Sequence, residues 1–518
     1  VPQKYNILFR IFVHFTVKNL NKFTFNPLIM KTFFSTLVMS LLAVSLLSAQ
    51  VMEKQARKYA KTISNDDLTR HLTILAADSL EGRETGKKGQ KMAAEYIKNQ
   101  FESLGLKAPV EGSYFQKFNL YQTFRGEAEM LVNDKKIKNL DQMVYWANVP
   151  FEKKEIEIVY VNKAQEEDLD NIEAEGKFLA FAADGQFTPT LKIIEELGAQ
   201  GAIVFAEDSS RMNMVLRYGQ YYATHGALSR TKPSTDGLAS VVMYKELAEE
   251  VFGKPISELK IGDTASAELF AEINTEVLET ENVLGYLEGT EKPEEILVLT
   301  AHYDHVGVQD GKIYNGADDD ASGTTAVLEI AEAFVKAKKD GNGPKRSILF
   351  MPVTGEEKGL LGSAHYAENP VFPLENTVTN LNIDMIGRVD SAHMDDREFV
   401  YLIGSNRIST ELHEISEAMN ENYTKLELDY TYNAEDHPDR IYYRSDHWNF
   451  AKNGVPIIFY FNGTHPDYHQ HTDTVDKIEF DLLKKRTDLV FYTAWEIANR
   501  DERPAIDPKD EENEEEEE

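Results

Sequence analysis

Between residues 282 and 500 the apolar residues fall in short unbroken runs: "EILVLTAHYD", "RSILFMPVTGEE", "TNLNIDMIG", "FVYLIGS" and "VPIIFYFNG". These runs are rich in Val, Ile and Phe and alternate with stretches of helical spacing such as "GTTAVLEIAEAFVKA". Continuous rather than alternating apolar runs require burial on both faces, which predicts a central, largely parallel sheet covered by helices. Upstream, from Asn65 to Leu106, the spacing predicts two helices around the loop "EGRETGKKG", with Asn65 as a candidate N-cap. Between about Asn119 and Thr275 the texture changes to shorter runs, "EIEIVYV", "KFLAFAA" and "GAIVFAED", with the helix "TLKIIEELGAQG" before the last of them. This block predicts a smaller α/β or β-rich module inserted into the larger fold. The expected fold class is therefore α/β, with a mixed sheet flanked by helices. Its parts are residues 50–118 and 276–501, interrupted by a module over 119–275.

Three of the runs end in residues that carry chemistry: "AHYD", "TGEE" and "NIDMIG". In open α/β sheets ligands bind where the carboxyl ends of the strands let neighbouring loops diverge, so these acids and the histidine are expected to meet in one crevice. A chain of 518 residues is long enough for two domains, and 42% hydrophobic with 27% charged residues is an ordinary globular composition. The formal net charge of −32 argues against nucleic acid and anionic membranes as partners, since both would meet long-range repulsion. Part of that charge lies in "DEENEEEEE", so residues 502–518 are expected to be a solvated acidic tail. With no cysteine present, disulfides and thiolate metal sites are excluded, and any metal must be held by His, Asp and Glu. From Met30, "MKTFFSTLVMSLLAVSLLSAQ" has the form of a signal peptide over 30–49 with cleavage before Gln50. Residues 1–29 then read as a spurious upstream extension. The expectation is an exported protein, periplasmic or secreted, without stable membrane insertion after cleavage.

Carboxylates gathered in one crevice repel one another and lose hydration, a cost that a divalent metal pair removes. A single Asp after a strand is ordinarily a helix cap, so it is the conjunction of His, Asp and Glu that points to Zn²⁺ or another transition metal.

In order along the chain, "AHYDH", "GADDDASG", "TGEEKGLLGS", "NIDMIG" and "YHQHTDT" resemble the di-zinc aminopeptidases of metallopeptidase family twenty-eight, over about residues 65–118 and 276–500. The segment between resembles, through "GAQGAIVFAED", the protease-associated domain that many members insert there. The resemblance implies a zinc-exopeptidase (phosphorylase/hydrolase-like) fold and two Zn²⁺ per chain. One zinc would rest on His302 and Asp384, the other on Glu357 and His469, with Asp319 bridging. Asp304 matches the carboxylate that orients His302, and Glu356 matches the general base. His469 rather than His471 fits the register of the last motif, because Asp473 and Thr474 then follow at the right spacing.

Other residues carry weaker signals. Asp446 and His447 in "YYRSDHW" are candidates for supporting or substrate contacts, with plain structural hydrogen bonding the alternative. His305 reads as a loop or supporting residue, Arg83 as a fold-shaping residue, and "RYGQYYATHG" (217–226) as a surface loop or a lid over the cleft. The resemblance implies peptide substrates and hydrolysis of the N-terminal peptide bond, with oligomeric state left open. Carboxypeptidase or dipeptidase activity on the same scaffold is the alternative; it needs a cationic pocket, and no Arg cluster stands near the motifs. A metal-free, receptor-like binding protein is the remote third reading.

Overall fold

In the computed structural model, residues 50–508 except Asp184 are described, so the expected signal segment, the upstream extension and most of the acidic tail lie outside the described residues. The chain divides into two compact units, residues 1–62 and 63–518. The described part of the first is helical over residues 50–60. Among the described residues no helix is long and apolar enough to cross a membrane.

The second unit holds two large sheets. One has seven strands in the order Gly285–Leu287, Arg346–Val353, Lys292–His302, Thr377–Ile383, Ile457–Phe461, Phe399–Ile403, Glu427–Asp429. The four strands from Arg346–Val353 to Ile457–Phe461 are mutually parallel. Antiparallel pairing flanks them on both sides. Every residue of Arg346–Val353, Thr377–Ile383 and Ile457–Phe461 is buried, as unbroken apolar runs require when both faces are covered. The mixed, largely parallel α/β sheet expected from the sequence is present. Ala321–Lys339 and Phe480–Asn499 pack together over it through Phe334, whose ring lies 5.2 Å from Phe491 and 5.5 Å from Trp495.

The nine-stranded second sheet is built from residues 115–283. Its spine is an antiparallel ribbon of two long strands, Phe115–Val132 and Thr264–Val283, paired from Phe115 with Val283 to Leu131 with Glu268. Strands Phe178–Ala183, Gly201–Ala206 and Ala239–Tyr244 lie parallel beside it and are almost wholly buried. At the base of the ribbon Gln90 donates to the Glu281 carboxylate at 3.2 Å, and the Tyr303 hydroxyl donates to the Glu281 carbonyl at 2.5 Å.

Helix Asn65–Leu75 is N-capped by Ser64, one residue earlier than the expected Asn65. Its hydroxyl accepts from the Asp67 amide at 3.1 Å. This helix covers Glu329, whose carboxylate accepts from the Ser64 amide at 3.3 Å and lies 3.5 Å from His71 Nε2. Burial, with Asp67 and Glu332 adding to it, pushes the Glu329 carboxyl up to about 8. Between 4.5 and about 8 the folded chain therefore holds a proton that the unfolded chain has lost, so stability falls as pH rises through that window. Glu329→Gln should raise the Tm at pH 8.5 by about 2 °C or more. The gain should shrink as the pH drops and vanish near pH 4.5, which calorimetry at several pH values checks.

Candidate metal centre

The parallel strands end together, and their C-terminal loops carry the chemistry. Lys292–His302 delivers His302 as its last residue, Arg346–Val353 leads into Glu356 and Glu357, and Thr377–Ile383 delivers Asp384. Asp319 and Asp320 lie in the turn that opens helix Ala321–Lys339. The Asp320 carboxylate caps that helix through the Gly323 amide at 2.8 Å, and also accepts from the His302 and Met385 amides at 3.1 and 3.0 Å. Asp320 thus ties three strand and helix ends together. A side chain at Gly323 would strike the Asp320 carboxylate at 2.5 Å and the Ile383 carbonyl at 2.6 Å, so only glycine lets the helix start this close to Asp384.

Five of the sequence-derived ligand candidates converge. His302 Nε2 lies 3.1 Å from Asp319 Oδ1 and 3.5 Å from Asp384 Oδ1. His469 Nε2 lies 3.2 Å from Asp319 Oδ2 and 3.0 Å from Glu357 Oε2. Asp319 stands between the two groups with one oxygen toward each. His469 adopts φ +52°, a conformation uncommon outside glycine, and by it the ring reaches the cluster. His471 instead packs against Tyr314, at 6.0 Å between rings.

His305, read from the sequence as a loop or supporting residue, is fully buried against the second group, with Nδ1 2.7 Å from Glu357 Oε1 and 3.8 Å from Asp319 Oδ2. Asp304 meets His302 differently from the expected carboxylate contact. His302 Nδ1 is held by the Asp304 main-chain carbonyl at 3.1 Å, and the Asp304 carboxylate is 3.8 Å away. That carboxylate accepts instead from the Thr85 hydroxyl at 2.7 Å and the Glu356 amide at 3.3 Å, so it positions the loop that carries Glu356.

Asp446 is buried and accepts from the Ser363 hydroxyl at 2.5 Å; burial pushes its carboxyl up to about 7. His447 points into the core, with Nε2 2.7 Å from the Tyr442 carbonyl and its ring stacked on Phe459. Burial lowers it to about 3, and its contacts are structural.

The supporting residues that sequence reasoning missed have short polar side chains. Asp384 Oδ2 accepts from Ser445 at 2.7 Å, Ser445 from Asn382 at 2.8 Å, and Asn382 from Thr300 at 2.6 Å. This buried chain begins on the His302 strand and ends at the Asp384 carboxylate. Arg83, only 1% exposed, donates to the carbonyls of Leu75, Tyr303, Asn315 and Gly316 and so pins both the His302 loop and the aspartate turn. The clue in the sequence was an arginine inside a glycine-flanked loop.

Electrostatics separate the two neighbouring glutamates. Burial, and then the carboxylates of Asp384, Glu357 and Asp446, push Glu356 well above the usual carboxylate range, with His302 opposing. For Glu357, burial and Asp319 raise the carboxyl, but His305 and His469 outweigh them and hold it at about 2. Among the described residues, His302 Nε2, both His305 ring nitrogens, Asp319 Oδ2 and Glu357 Oε1 are buried and make no well-aligned hydrogen bond, meeting other polar atoms only through the close nitrogen–oxygen approaches given above. Each such atom costs about 1 to 3 kcal/mol unless something satisfies it. Imidazole and carboxylate donors within mutual reach, in the groups His302/Asp320/Asp384 and His305/Asp319/Glu357, fit a metal that takes N and O ligands, as zinc does.

Two cavities open on the cluster. A small one of about 40 Å³ is bounded by Asp319, Glu356, Asp384 and His469 and walled by Met385, Ile441, Phe459, Phe461 and Tyr468. The second, of about 260 Å³, lies on the Glu357 side.

Residues 282–494 match the profile of Peptidase family M28. The chain is 30% identical over 267 residues to "Probable zinc metalloprotease" of Pyrenophora tritici-repentis (strain Pt-1C-BFP), covering 43% of this chain and 52% of that protein. It is 31% identical over 215 residues to "Probable leucine aminopeptidase" of Arthroderma otae, covering 40% and 55%. The chain thus spans about half the length of these curated relatives. Among solved structures, the aminopeptidase from Aneurinibacillus sp. strain AM-1 superposes with a TM-score of 0.53 at 19% identity, covering 88% of this chain and 98% of that one, which establishes the shared fold.

Ser445→Ala removes the only side-chain hydroxyl seen on Asp384 Oδ2 among the described residues. It should weaken zinc binding about 10-fold or more, read by competition with a chromogenic chelator, and leave the far-UV circular dichroism unchanged.

Proposed function

We propose that this chain is a zinc-dependent aminopeptidase that hydrolyses the N-terminal peptide bond of peptides. The observation that carries the reading is the arrangement around Asp319: one imidazole and one carboxylate on each side of it, Glu356 beside them, and a small cavity adjoining them whose walls include Met385, Ile441, Phe459 and Phe461. The match of residues 282–494 to the family profile and the names of the relatives support the same activity. His302 with Asp384 would hold one Zn²⁺ and Glu357 with His469 the other, Asp319 bridging. When bound, such a metal pair supplies Lewis-acid polarisation of the scissile carbonyl and lowers the pKa of an attacking water.

The chain's own groups do the rest. Glu356 accepts the proton of the attacking water and returns it to the leaving amine, acting first as base and then as acid. Ser445 and Asn382 hold Asp384, and the Asp304 carboxylate holds the Glu356 amide. The first side chain of the substrate enters the cavity of Met385, Ile441, Phe459, Phe461 and Tyr468, which excludes water from the bond under attack. A volume of about 40 Å³ suits the small space needed beyond a terminal residue rather than a longer run of chain. The signal-like segment from Met30 supports export, with the reaction taking place outside the cytoplasm.

One observation favours a second reading, a dipeptidase or carboxypeptidase. Arg444 lines the small cavity, is exposed, and forms no ion pair or side-chain hydrogen bond among the described residues, so it is available to a substrate carboxylate. Blocked substrates separate the two. An aminopeptidase cleaves leucyl amides and anilides and spares N-acetylated ones, whereas the second activity requires a free substrate carboxylate.

Glu356→Gln should keep both zinc ions by atomic emission and lose about 10² to 10⁴ in kcat. Asp319→Ala should bring the zinc content below one per chain and lower the Tm, because bound metal stabilises the folded state by mass action. A Glu356→Gln protein with near wild-type turnover would remove the assigned base.

A further inference from the structure

The larger cavity beside the metal cluster has walls from both sheets. Its lining includes Glu357 and Lys358 from the strand-end loop and Glu84 from the "EGRETG" loop. Opposite stand Tyr221, Tyr222 and His225 from the end of helix Ser209–His225, followed by Gly226, Ala227 and Leu228. Glu357 belongs to the cluster as well, so the cavity adjoins the reacting centre, and apart from Glu357 it shares no wall with the cluster.

The aromatic wall is held in place. Tyr221 stacks on His225 at 4.5 Å and meets Tyr222 edge-on at 5.5 Å. Behind Tyr222 the buried guanidinium of Arg125 sits between two rings, 5.1 Å from Tyr222 and 4.6 Å from Trp146, and donates to the Trp146 carbonyl at 2.8 Å. Gln122 donates to the His225 carbonyl at 2.6 Å and closes the end of the helix onto the ribbon. At Gly226, φ +69°, a Cβ would lie 2.8 Å from Gln122, so glycine permits this close turn beside the cavity. Tyr221 nevertheless remains 41% exposed, an aromatic face held rigid and left uncovered. Across the cavity, Lys358 and Glu84 pair at 3.5 Å, leaving polar atoms of both signs for a peptide backbone.

We propose that this cavity is the subsite for the residue that follows the scissile bond, and that its Tyr221 and Tyr222 wall selects an aromatic or large apolar side chain there. The inference rests on the aminopeptidase reading and extends it to the leaving side of the bond. A volume of about 260 Å³ accommodates one large side chain with its backbone, and ring-on-ring contact favours aromatic over aliphatic occupants.

The test compares leucyl-phenylalanyl-glycine with leucyl-glycyl-glycine in the zinc-loaded full-length enzyme. The ratio of their kcat/KM values should favour phenylalanine by about 10-fold or more, the discrimination that apolar contact with one side chain provides. Tyr221→Ala should bring the ratio close to unity; its exposed position makes the variant fold like the parent. Leucinamide, whose leaving group is ammonia and which places nothing in this cavity, reports on the aminopeptidase reading alone. Calorimetric titration of the Glu356→Gln protein with leucyl-phenylalanyl-glycine gives a readout without turnover, and adding Tyr221→Ala should weaken binding about 10-fold. Equal kcat/KM for the two tripeptides in the parent, or a phenylalanine preference and affinity unchanged by Tyr221→Ala, would overturn the assignment while leaving the leucinamide result to stand or fall separately.

Discussion

The structure turns on the burial of many ionisable groups at a single point. His302, His305, Asp319, Asp320, Glu357 and Asp384 lie within one buried region at the strand ends, together with Glu356. Water cannot reach them to pay for their charge, and like charges so close raise one another's protonation. The fold answers first with geometry: oxygen faces nitrogen across Asp319 on both sides. It answers next with backbone, since Asp320 takes three amides and Asp318 takes the Gly387 amide at 2.6 Å. What remains is a set of imidazole and carboxylate atoms without well-aligned hydrogen bonds, which a cation of N and O preference satisfies.

That requirement explains why the surrounding shell is polar although it is core. Thr300, Asn380, Asn382 and Ser445 are all buried and hydrogen-bonded in sequence, where an apolar sheet would carry Val or Ile. A half-satisfied buried network is costly, so each member constrains the next. The result is a carboxylate held from behind, with its free oxygen facing His302.

Much of this was legible in the sequence because parallel strands buried on both faces leave unbroken apolar runs. Chemistry that follows such runs in "AHYD", "TGEE" and "NIDMIG" must then sit at the carboxyl edge. His302, Asp319, Glu357, Asp384 and His469 could be gathered on that basis together with the family pattern. His305 was harder, because a histidine three residues after the ligand is placed by the turn through Gly307, φ +85°, and turn geometry has no periodicity to read. The Asp304 main-chain carbonyl, which lies 3.1 Å from the imidazole, has no signature in the sequence for a similar reason. Arg444 was invisible for another reason. A lone arginine gains meaning only when Ile441, Phe459 and Phe461, distant in the chain, form a pocket around it.

The long ribbon of Phe115–Val132 and Thr264–Val283 has a mechanical consequence. Its base makes four hydrogen bonds to the larger fold, two of them to the segments that carry the ligands. Glu281 binds Gln90 and Tyr303, and Asn282 donates to the Gly362 carbonyl at 2.8 Å while accepting from the Thr354 amide at 3.3 Å. Tyr303 stands between His302 and Asp304, and Thr354 stands two residues before Glu356. The ribbon is thus a stiff cantilever rooted under the reacting groups, with the aromatic wall of the larger cavity carried on its flank. Load applied to the second sheet is delivered at its root, so the distance between that wall and the zinc ligands is governed by the bending stiffness of two paired strands rather than by a hinge.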